Sequence, residues 1–208
     1  MKLREPIAIL GFGTEGEYAL EFLKSRHVSD ITVCDHNKKI ALPEGIKSRL
    51  GDTAFDDLSH FQIIVRSPGV RLTERGIQDA IELGRTVTSM TQLTLEEAND
   101  RMTVITGTNG KTTTTALTEA ILRAHYGSKL IVGGNDRAPV LNEVMARPKH
   151  PVLMEASSFQ YADVTHSPYI AAILNITPNH LDWHADVEEY TLAKSNILRH
   201  QKTVIGRF

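Results

Sequence analysis

Short apolar runs alternate along the chain with stretches in which apolar residues recur every three or four positions. A short apolar run bounded by polar residues is typical of a buried strand, and the three-to-four spacing is typical of one helix face. The predicted strands are residues 7–10, 31–34, 61–65, 86–88, 102–106, 130–132, 152–156 and 170–176, and the predicted helices are residues 16–27, 77–83, 112–126, 140–145 and 187–200. Alternation of this kind predicts parallel sheets with right-handed crossovers, covered on both faces.

A polar segment, residues 94–101, separates two such series. We place a domain boundary near it, with one domain over residues 1–98 and a second over residues 99–208. The predicted fold class is α/β, with two successive parallel-sheet units: a Rossmann-like N-terminal domain and a P-loop ATPase-like domain.

Composition narrows the class of protein. Hydrophobic residues make up 41% and charged residues 23% of the chain, as is usual for a soluble globular protein. The net charge of −2, without a long run of like charges, gives no support to nucleic-acid binding. Cys34 is the only cysteine, which excludes a disulfide framework and indicates a role in strand packing. No apolar stretch approaches the ~20 residues that span a bilayer, and the first residues lack a signal-peptide core, so we expect a cytoplasmic protein that binds no membrane.

Residues 107–112 read Gly-Thr-Asn-Gly-Lys-Thr, between a predicted strand and a predicted helix. The glycines allow a tight turn whose N–H groups point at phosphate oxygens, and the helix N-terminus adds further donors. Lys111 supplies a positive charge, and Thr112 supplies a hydroxyl that can bind Mg²⁺. The loop is shorter than the general G-x-x-x-x-G-K-[ST] pattern, because Ile105 stands where that pattern has its first glycine. The prediction is a nucleoside triphosphate site, and the alternative is a plain Gly-Asn turn whose Lys and Thr face solvent.

A second glycine pattern lies near the N-terminus. Gly11, Gly13 and Gly16 fit G-x-G-x-x-G between a predicted strand and a predicted helix, and Asp35 ends the next strand. This arrangement is typical of a dinucleotide-binding fold, in which the glycines admit a pyrophosphate and the acid binds a ribose hydroxyl. The Ser-Pro-Gly turn at residues 67–69 follows the third strand, where the sheet edge is expected to line a crevice. NAD is one possible ligand, any pyrophosphate nucleotide fits the same physics, and the alternative is a turn that needs glycine for packing alone.

Polar residues also follow two strands of the second half. Glu155 ends one strand in the same sheet as the phosphate loop, which places it to hold Mg²⁺. Residues 174–184 follow the next strand and include two histidines, two asparagines and an aspartate, a cluster suited to metal or phosphate. Lys194 lies on the last predicted helix. Taken alone, each of these residues is more often a solvated surface residue than a site residue.

Taken together, these segments resemble the Mur ligases, the ATP-dependent amino-acid ligases of peptidoglycan synthesis. The motifs that carry the resemblance are residues 107–113, residues 155–160, residues 174–182 and the sequence Tyr-x-x-Ala-Lys at residues 190–194. The segments that look most like the branch adding D-glutamate to UDP-N-acetylmuramoyl-L-alanine are residues 11–16, 67–69 and 157–160. The resemblance covers nearly the whole chain.

The resemblance implies a role for each candidate residue. The UDP-linked substrate would be bound by Gly11, Phe12, Gly13, Thr14, Gly16, Asp35, Ser67, Pro68, Gly69, Asn135 and Ser157. The ATP phosphates would be bound by Gly107, Thr108, Asn109, Gly110, Lys111, Thr112 and Thr113. The catalytic residues would be Lys111, Glu155, His180 and Lys194, and the two Mg²⁺ sites would use Thr112, Glu155, His180 and Lys194.

The implied chemistry has two steps. A substrate carboxylate attacks the γ-phosphate of ATP to give an acyl phosphate and ADP, and the amine of D-glutamate then displaces phosphate to form an amide. Lys194 matches the family lysine that reacts with CO₂ to become a carbamate. The protein would contribute positioning and charge neutralisation, as in other phosphoryl transfers.

The Mur ligases have three domains, and the resemblance covers the first and part of the second. We therefore expect a truncated chain without the C-terminal domain, which does not complete catalysis alone. Two local features depart from the family: Asn179 stands where Asp is usual, and Asp136-Arg137 stand where Ile-Gly is usual in the D-glutamate branch. The alternative function is a non-catalytic UDP-sugar- or ATP-binding module that acts with a partner, and a third is an NAD-dependent protein built on residues 11–16.

Overall fold

The computed structural model describes residues 2–135 and 137–199. Asp136, which is one of the two departures from the family pattern, and residue 200, where the last predicted helix ends, lie outside the described residues. The chain divides into two compact units between Met90 and Thr91, and each unit has its own parallel sheet. This confirms the predicted α/β class with two successive parallel-sheet units.

The first unit is built on five parallel strands in the order β3-β2-β1-β4-β5. The strands are β1 (Ile7–Leu10), β2 (Ile31–Asp35), β3 (Lys47–Leu50), β4 (Ile63–Arg66) and β5 (Thr86–Thr88), and the helices are α1 (Thr14–Ser25) and α2 (Arg75–Glu82). Strands β1 and β4 are buried along their whole length, because both faces of the sheet are covered. The strand order is that of a dinucleotide-binding fold. All strands are parallel, but the order in which they are added to the sheet reverses between β1 and β4, which leaves a crevice there.

The second unit has four parallel strands in the order β7-β8-β6-β9. The strands are β6 (Met102–Thr106), β7 (Ile131–Gly134), β8 (Val152–Glu155) and β9 (Ile170–Ile173), and the helices are α3 (Met90–Ala98), α4 (Lys111–Tyr126), α5 (Leu141–Ala146), α6 (Ser158–Tyr161) and α7 (Val187–Ser195). The core of this unit gathers apolar residues from the sheet and from α3, α5 and α6, among them Leu95, Val104, Val144, Val152 and Tyr161. None of the helices in the described part of the chain is both long and apolar enough to cross a membrane.

Several elements differ from the prediction. Helix α6 was not predicted, and the helix predicted for residues 187–200 ends as an α-helix at Ser195. Strand β3 was missed because its sequence, Lys-Ser-Arg-Leu, is a polar edge strand without an apolar run. Residues 94–101, read from their polarity as a boundary, lie in α3 and a following 3-10 turn, and Leu95 and Ala98 of α3 are buried in the second core. The strand predicted for residues 170–176 ends at Ile173, because the chain then turns to contact the phosphate loop.

Candidate functional site

The glycine loop of the first unit lies at the point where the strand order reverses. Gly11 follows β1, Ser67 follows the neighbouring strand β4, and the Ser67 hydroxyl donates to the Gly11 carbonyl oxygen at 2.7 Å. A Cβ at Gly16 would overlap that same carbonyl oxygen, so the third glycine allows α1 to start close to β1. Gly13 is exposed, and a Cβ added there would meet no atom within 4 Å. Open space at Gly13 is what the close approach of a ligand requires.

Asp35 holds this loop from the end of β2. One carboxylate oxygen accepts the Phe12 N–H at 2.7 Å, and the other accepts the Asn37 N–H at 2.7 Å. Thr14, the first residue of α1, is exposed beside the loop. The carboxylate therefore shapes the loop, and its predicted contact with the UDP-linked substrate stays a prediction.

Arg66, which the sequence did not single out, supports the Ser-Pro-Gly turn. Its side chain is 1% exposed, and its Nη1 donates to the carbonyls of Ser67, Pro68 and Val70 at 3.3, 3.1 and 2.7 Å. A planar guanidinium that donates to several carbonyls of one turn restrains that turn. An arginine in an otherwise apolar strand was the only signal of this role in the sequence.

The phosphate loop of the second unit lies between β6 and α4, as predicted. Gly110 is the N-cap of α4 with φ of +83°, a left-handed conformation that favours glycine, and Lys111 is the first helical residue. The Lys111 ammonium donates to the Thr108 carbonyl at 3.1 Å, which folds the side chain back over the loop. Thr113 lies on the exposed first turn of the same helix.

The chain after β9 braces the outer side of this loop. Asn175 accepts the Thr108 N–H through its carbonyl and the Asn109 N–H through its side chain, each at 2.9 Å. The buried Thr108 hydroxyl contacts the Thr177 carbonyl at 3.1 Å and the Tyr190 hydroxyl at 2.8 Å. The loop is thus held by segments about seventy to eighty residues later in the chain, which the sequence pattern did not indicate.

Glu155 and Thr112 converge at the end of β8. The Thr112 hydroxyl lies 3.2 Å from a Glu155 carboxylate oxygen, and the Asn135 amide lies 3.4 Å from the same oxygen. Glu155 is 3% exposed. A hydroxyl and a carboxylate in contact are the hard oxygen donors that Mg²⁺ prefers, so these two residues fit a magnesium ion. Across residues 2–135 and 137–199, no three His, Cys, Asp or Glu side chains cluster as a metal site, so further ligands would have to come from the nucleotide, from water or from other groups.

Lys194 reaches the same edge of the sheet from α7. It is 2% exposed, and its ammonium donates to the Gly107 carbonyl at 3.0 Å and lies 3.4 Å from the Thr106 hydroxyl. Burial, with a smaller effect from the positive charge of Lys111, lowers the pKa of Lys194 to about 8. A substantial fraction of the amine is therefore neutral near physiological pH, as nucleophilic attack on CO₂ requires.

His180 and Ser157 make no recorded hydrogen bond to Lys111, Thr112, Glu155 or Lys194 in the part of the chain that the structure describes. His180 has φ of +54°, its side chain is exposed, and its ring lies edge-on to Phe159 at 4.9 Å. The Ser157 hydroxyl caps α6 by accepting the Gln160 N–H at 3.3 Å, while the Gln160 side chain accepts the Ser157 N–H. The structure therefore brings Lys111, Thr112, Glu155 and Lys194 to one sheet edge, and the predicted roles of His180 and Ser157 stay predictions.

Two family models match the chain. The model of the Mur ligase MurD-like N-terminal domain matches residues 5–89, and the model of the Mur ligase middle domain matches residues 105–205. This chain belongs to the Mur ligase family. The match assigns the first glycine loop to a Mur ligase N-terminal domain and the phosphate loop to the middle domain.

Curated relatives support the same family. The chain is 36% identical over 204 residues to the UDP-N-acetylmuramoylalanine–D-glutamate ligase of Acetivibrio thermocellus, covering 94% of this chain and 43% of the relative. It is 35% identical over 210 residues to the ligase of the same name from Symbiobacterium thermophilum, covering 97% of this chain and 46% of the relative. This Mur ligase chain therefore spans less than half the length of these relatives.

A solved structure supports the fold. The UDP-N-acetylmuramate:L-alanyl-gamma-D-glutamyl-meso-diaminopimelate ligase from Neisseria meningitides superposes with a TM-score of 0.52 at 18% identity, covering 93% of this chain and 67% of that one. At this level of identity the likeness extends to the fold alone.

Proposed function

We propose that this chain forms the UDP-substrate-binding and ATP-binding parts of a cytoplasmic ligase of peptidoglycan precursor synthesis. The ligase would use ATP to add D-glutamate to UDP-N-acetylmuramoyl-L-alanine. The observation that carries the proposal is the convergence of Lys111, Thr112, Glu155 and Lys194 around one phosphate loop. The names of the relatives, which are D-glutamate ligases, support the choice of substrate and amino acid.

Each side chain has a task that its surroundings support. The N–H groups of residues 107–112 and the Lys111 ammonium bind the phosphates of ATP and place the γ-phosphate for attack by the substrate carboxylate. Thr112 and Glu155 would hold Mg²⁺, which supplies neutralisation of phosphate charge when bound. No nucleophile from the protein is needed, because the substrate carboxylate itself receives the phosphoryl group and the amine of D-glutamate later displaces it.

Lys194 would act in modified form. The ammonium first loses a proton to water, and the neutral amine then adds to CO₂. A C–N bond forms as one C=O π bond opens, and a second proton leaves to water, so the buried cation becomes an anion. An anionic carbamate beside the phosphate loop would complete, with His180, a second Mg²⁺ site. The lowered pKa of Lys194 supports this reaction, since only the neutral amine is nucleophilic.

In the first unit, the open loop at Gly11, Gly13 and Gly16 would bind the UDP pyrophosphate. Residues 67–69, held by Arg66, would line the same ligand.

Asn135 belongs to the second unit, and its amide lies against Glu155. It is suited to orient that carboxylate, in addition to its predicted contact with the sugar nucleotide.

Titration calorimetry on the purified chain tests the proposal. We expect selective binding of UDP-N-acetylmuramoyl-L-alanine over UDP-N-acetylglucosamine and NAD⁺. We also expect binding of AMP-PNP with Mg²⁺, which Lys111→Ala weakens at least tenfold and Thr112→Val weakens only when Mg²⁺ is present. Preference for NAD⁺ would refute the assignment of the first unit. Unchanged AMP-PNP affinity in Lys111→Ala would refute the assignment of the second unit.

A non-catalytic nucleotide-binding module is the second candidate, favoured by Asn179 in place of the usual acid. Carbon-13 NMR in labelled bicarbonate separates the two functions, since a module has no use for a carbamate. A carbamate signal that Lys194→Arg abolishes supports the ligase. A folded chain that binds nucleotide without forming that signal supports the module.

A further inference from the structure

A hydrogen-bonded chain of three side chains lies in the second unit and takes no part in the proposed chemistry. The Ser158 hydroxyl lies 3.0 Å from His184 Nε2, and His184 Nδ1 lies 3.4 Å from a Glu189 carboxylate oxygen. Ser158 begins α6, just after the strand that ends in Glu155, and Glu189 lies in the first turn of α7, which carries Lys194. His184 therefore links α6, which follows Glu155, with α7, which carries Lys194.

The direction of these hydrogen bonds follows from the partners. A carboxylate can only accept, so His184 Nδ1 carries the hydrogen and Nε2 accepts from the Ser158 hydroxyl. Burial lowers the pKa of His184. The order is that of a hydrolytic triad, but Ser158 and His184 are each 1% exposed and a substrate has no access to them. A nucleophilic role is thereby excluded, and a structural connection remains.

The connection leads to His180. The backbone N–H groups of His184 and Trp183 both donate to the His180 carbonyl, at 3.0 and 3.1 Å. His180 has the left-handed φ of +54°, which residues other than glycine adopt only where the surroundings hold them. The Phe159 ring stacks on His184 with an interplanar angle of 10° and contacts His180 at its edge. The exposed His180 is thus carried by a turn whose other end, His184, is fixed in the protein interior.

We propose that His184 is a positioning residue: anchored by Ser158 and Glu189, it holds the turn at residues 180–184 in the conformation that presents His180 as a metal ligand. The metal-binding part of this inference rests on the proposed function, while the anchoring of the turn does not. In this proposal His184 acts through His180, since its own side chain is buried.

The anchoring is tested first without ligand. His184→Phe keeps a ring for packing and removes both hydrogen bonds, and Ser158→Ala removes one of them. His166→Phe is the matched control, because His166 also has a hydroxyl and an amide partner, Thr165 at 3.2 Å and Gln92 at 3.0 Å, in the same unit. Trp183 is the only tryptophan of the chain, so its emission reports directly on the turn.

We expect the emission of Trp183 to shift and hydrogen exchange at residues 180–185 to accelerate at least tenfold in His184→Phe and Ser158→Ala. The control variant should keep the wild-type values. Emission and exchange that stay unchanged in both variants overturn the inference, whatever the chain binds.

The second test measures affinity for AMP-PNP with and without Mn²⁺. We expect His184→Phe to weaken binding of the Mn²⁺ complex at least tenfold, as His180→Ala does, and to leave metal-free binding unchanged. The double variant should be no weaker than His180→Ala alone, because His184 acts through His180. Additive losses in the double variant, or a His180→Ala variant with wild-type affinity, overturn the inference. A wild-type chain that binds no nucleotide refutes the proposed function instead, and the exchange experiment then decides the anchoring alone.

Discussion

At the scale of single residues, burial changes what a side chain can do. Lys194 is held in the protein interior against a carbonyl and a hydroxyl, and its pKa falls from the ordinary 10.5 to about 8. Gly16 is buried against a carbonyl oxygen, whereas Gly13 of the same motif faces open space. Gly13 and Gly16, which belong to one sequence motif, therefore have different physical roles.

The lowered pKa of Lys194 predicts how stability depends on pH. Between pH 8 and 10.5 the unfolded chain binds the proton of Lys194 more fully than the folded chain, so the free energy of unfolding rises with pH through this window. Relative to Lys194→Met, which keeps the apolar stem, the wild type should gain up to about 3 kcal/mol between these limits. Urea denaturation of both proteins at several pH values in CO₂-free buffer measures the difference. A constant difference across the window would contradict the assigned pKa.

The two glycines of the first loop predict opposite outcomes for one substitution. Gly16→Ala places a methyl against the Gly11 carbonyl and should reduce stability by about 2–3 kcal/mol, as overpacking of a close contact does. Gly13→Ala changes only the N-cap of α1 and should cost less than about 1 kcal/mol. It should nevertheless weaken UDP-N-acetylmuramoyl-L-alanine binding at least tenfold, because the methyl occupies the space left for the ligand.

Thermal melts and calorimetry on these two variants give both quantities. Equal stability of the two variants would show that the close packing of α1 on β1 is not required. Full affinity in Gly13→Ala would place the ligand elsewhere.

At the scale of elements, helix α7 is attached to the phosphate loop by two side chains one turn apart. Tyr190 bonds the Thr108 hydroxyl, and Lys194 bonds the Gly107 carbonyl. The helix begins with Asp186 as N-cap, whose side chain accepts the Glu189 N–H at 2.8 Å. A short helix with an N-cap hydrogen bond and two buried hydrogen bonds to the loop can position a loop that is distant in sequence.

Removing one hydroxyl tests this attachment. Tyr190→Phe leaves the ring and removes the bond to Thr108, so we expect a loss of about 1 kcal/mol in stability and several-fold weaker AMP-PNP binding. Tyr161→Phe is the matched control: this tyrosine is also buried, and its hydroxyl has no hydrogen-bond partner in the part of the chain that the structure describes. The control should be neutral or slightly stabilising. Equal losses of stability and of AMP-PNP affinity in the two variants would show that the Tyr190–Thr108 hydrogen bond is not their cause.

At the scale of the whole molecule, each of the two units has a buried core of its own in the described residues. One core gathers residues of the first sheet and α2, such as Leu10, Ile64 and Ile77, and another gathers residues of the second sheet and α3. A chain whose two units have separate cores need not unfold in a single two-state transition.

We therefore predict two unfolding events. Trp183 lies in the second unit and reports only on that unit, while far-ultraviolet circular dichroism reports on both. In urea the two signals should follow different curves, and Gly16→Ala should shift the circular dichroism curve without moving the tryptophan curve. Coincident curves for wild type and variant would show that the units unfold together.

The sequence by itself determined the fold class and the position of the phosphate loop. Buried parallel strands are continuous apolar runs, and a loop that binds phosphate needs glycines and a lysine at neighbouring positions, so both leave local signals. The polar edge strand β3 left no such signal. Helix α3 carries few apolar residues, and its place in the second core follows from what Leu95 and Ala98 contact.

Only the tertiary structure decided which distant residues meet. Tyr190 and Thr108, His184 and Ser158, and Lys194 and Gly107 come together because parallel strands bring the loops that follow them to one sheet edge. Chain periodicity contains no information on those pairs. The physical reason is that hydrogen bonds and burial depend on distance in space, and these in turn set the pKa of Lys194 and the geometry of the turn at His180.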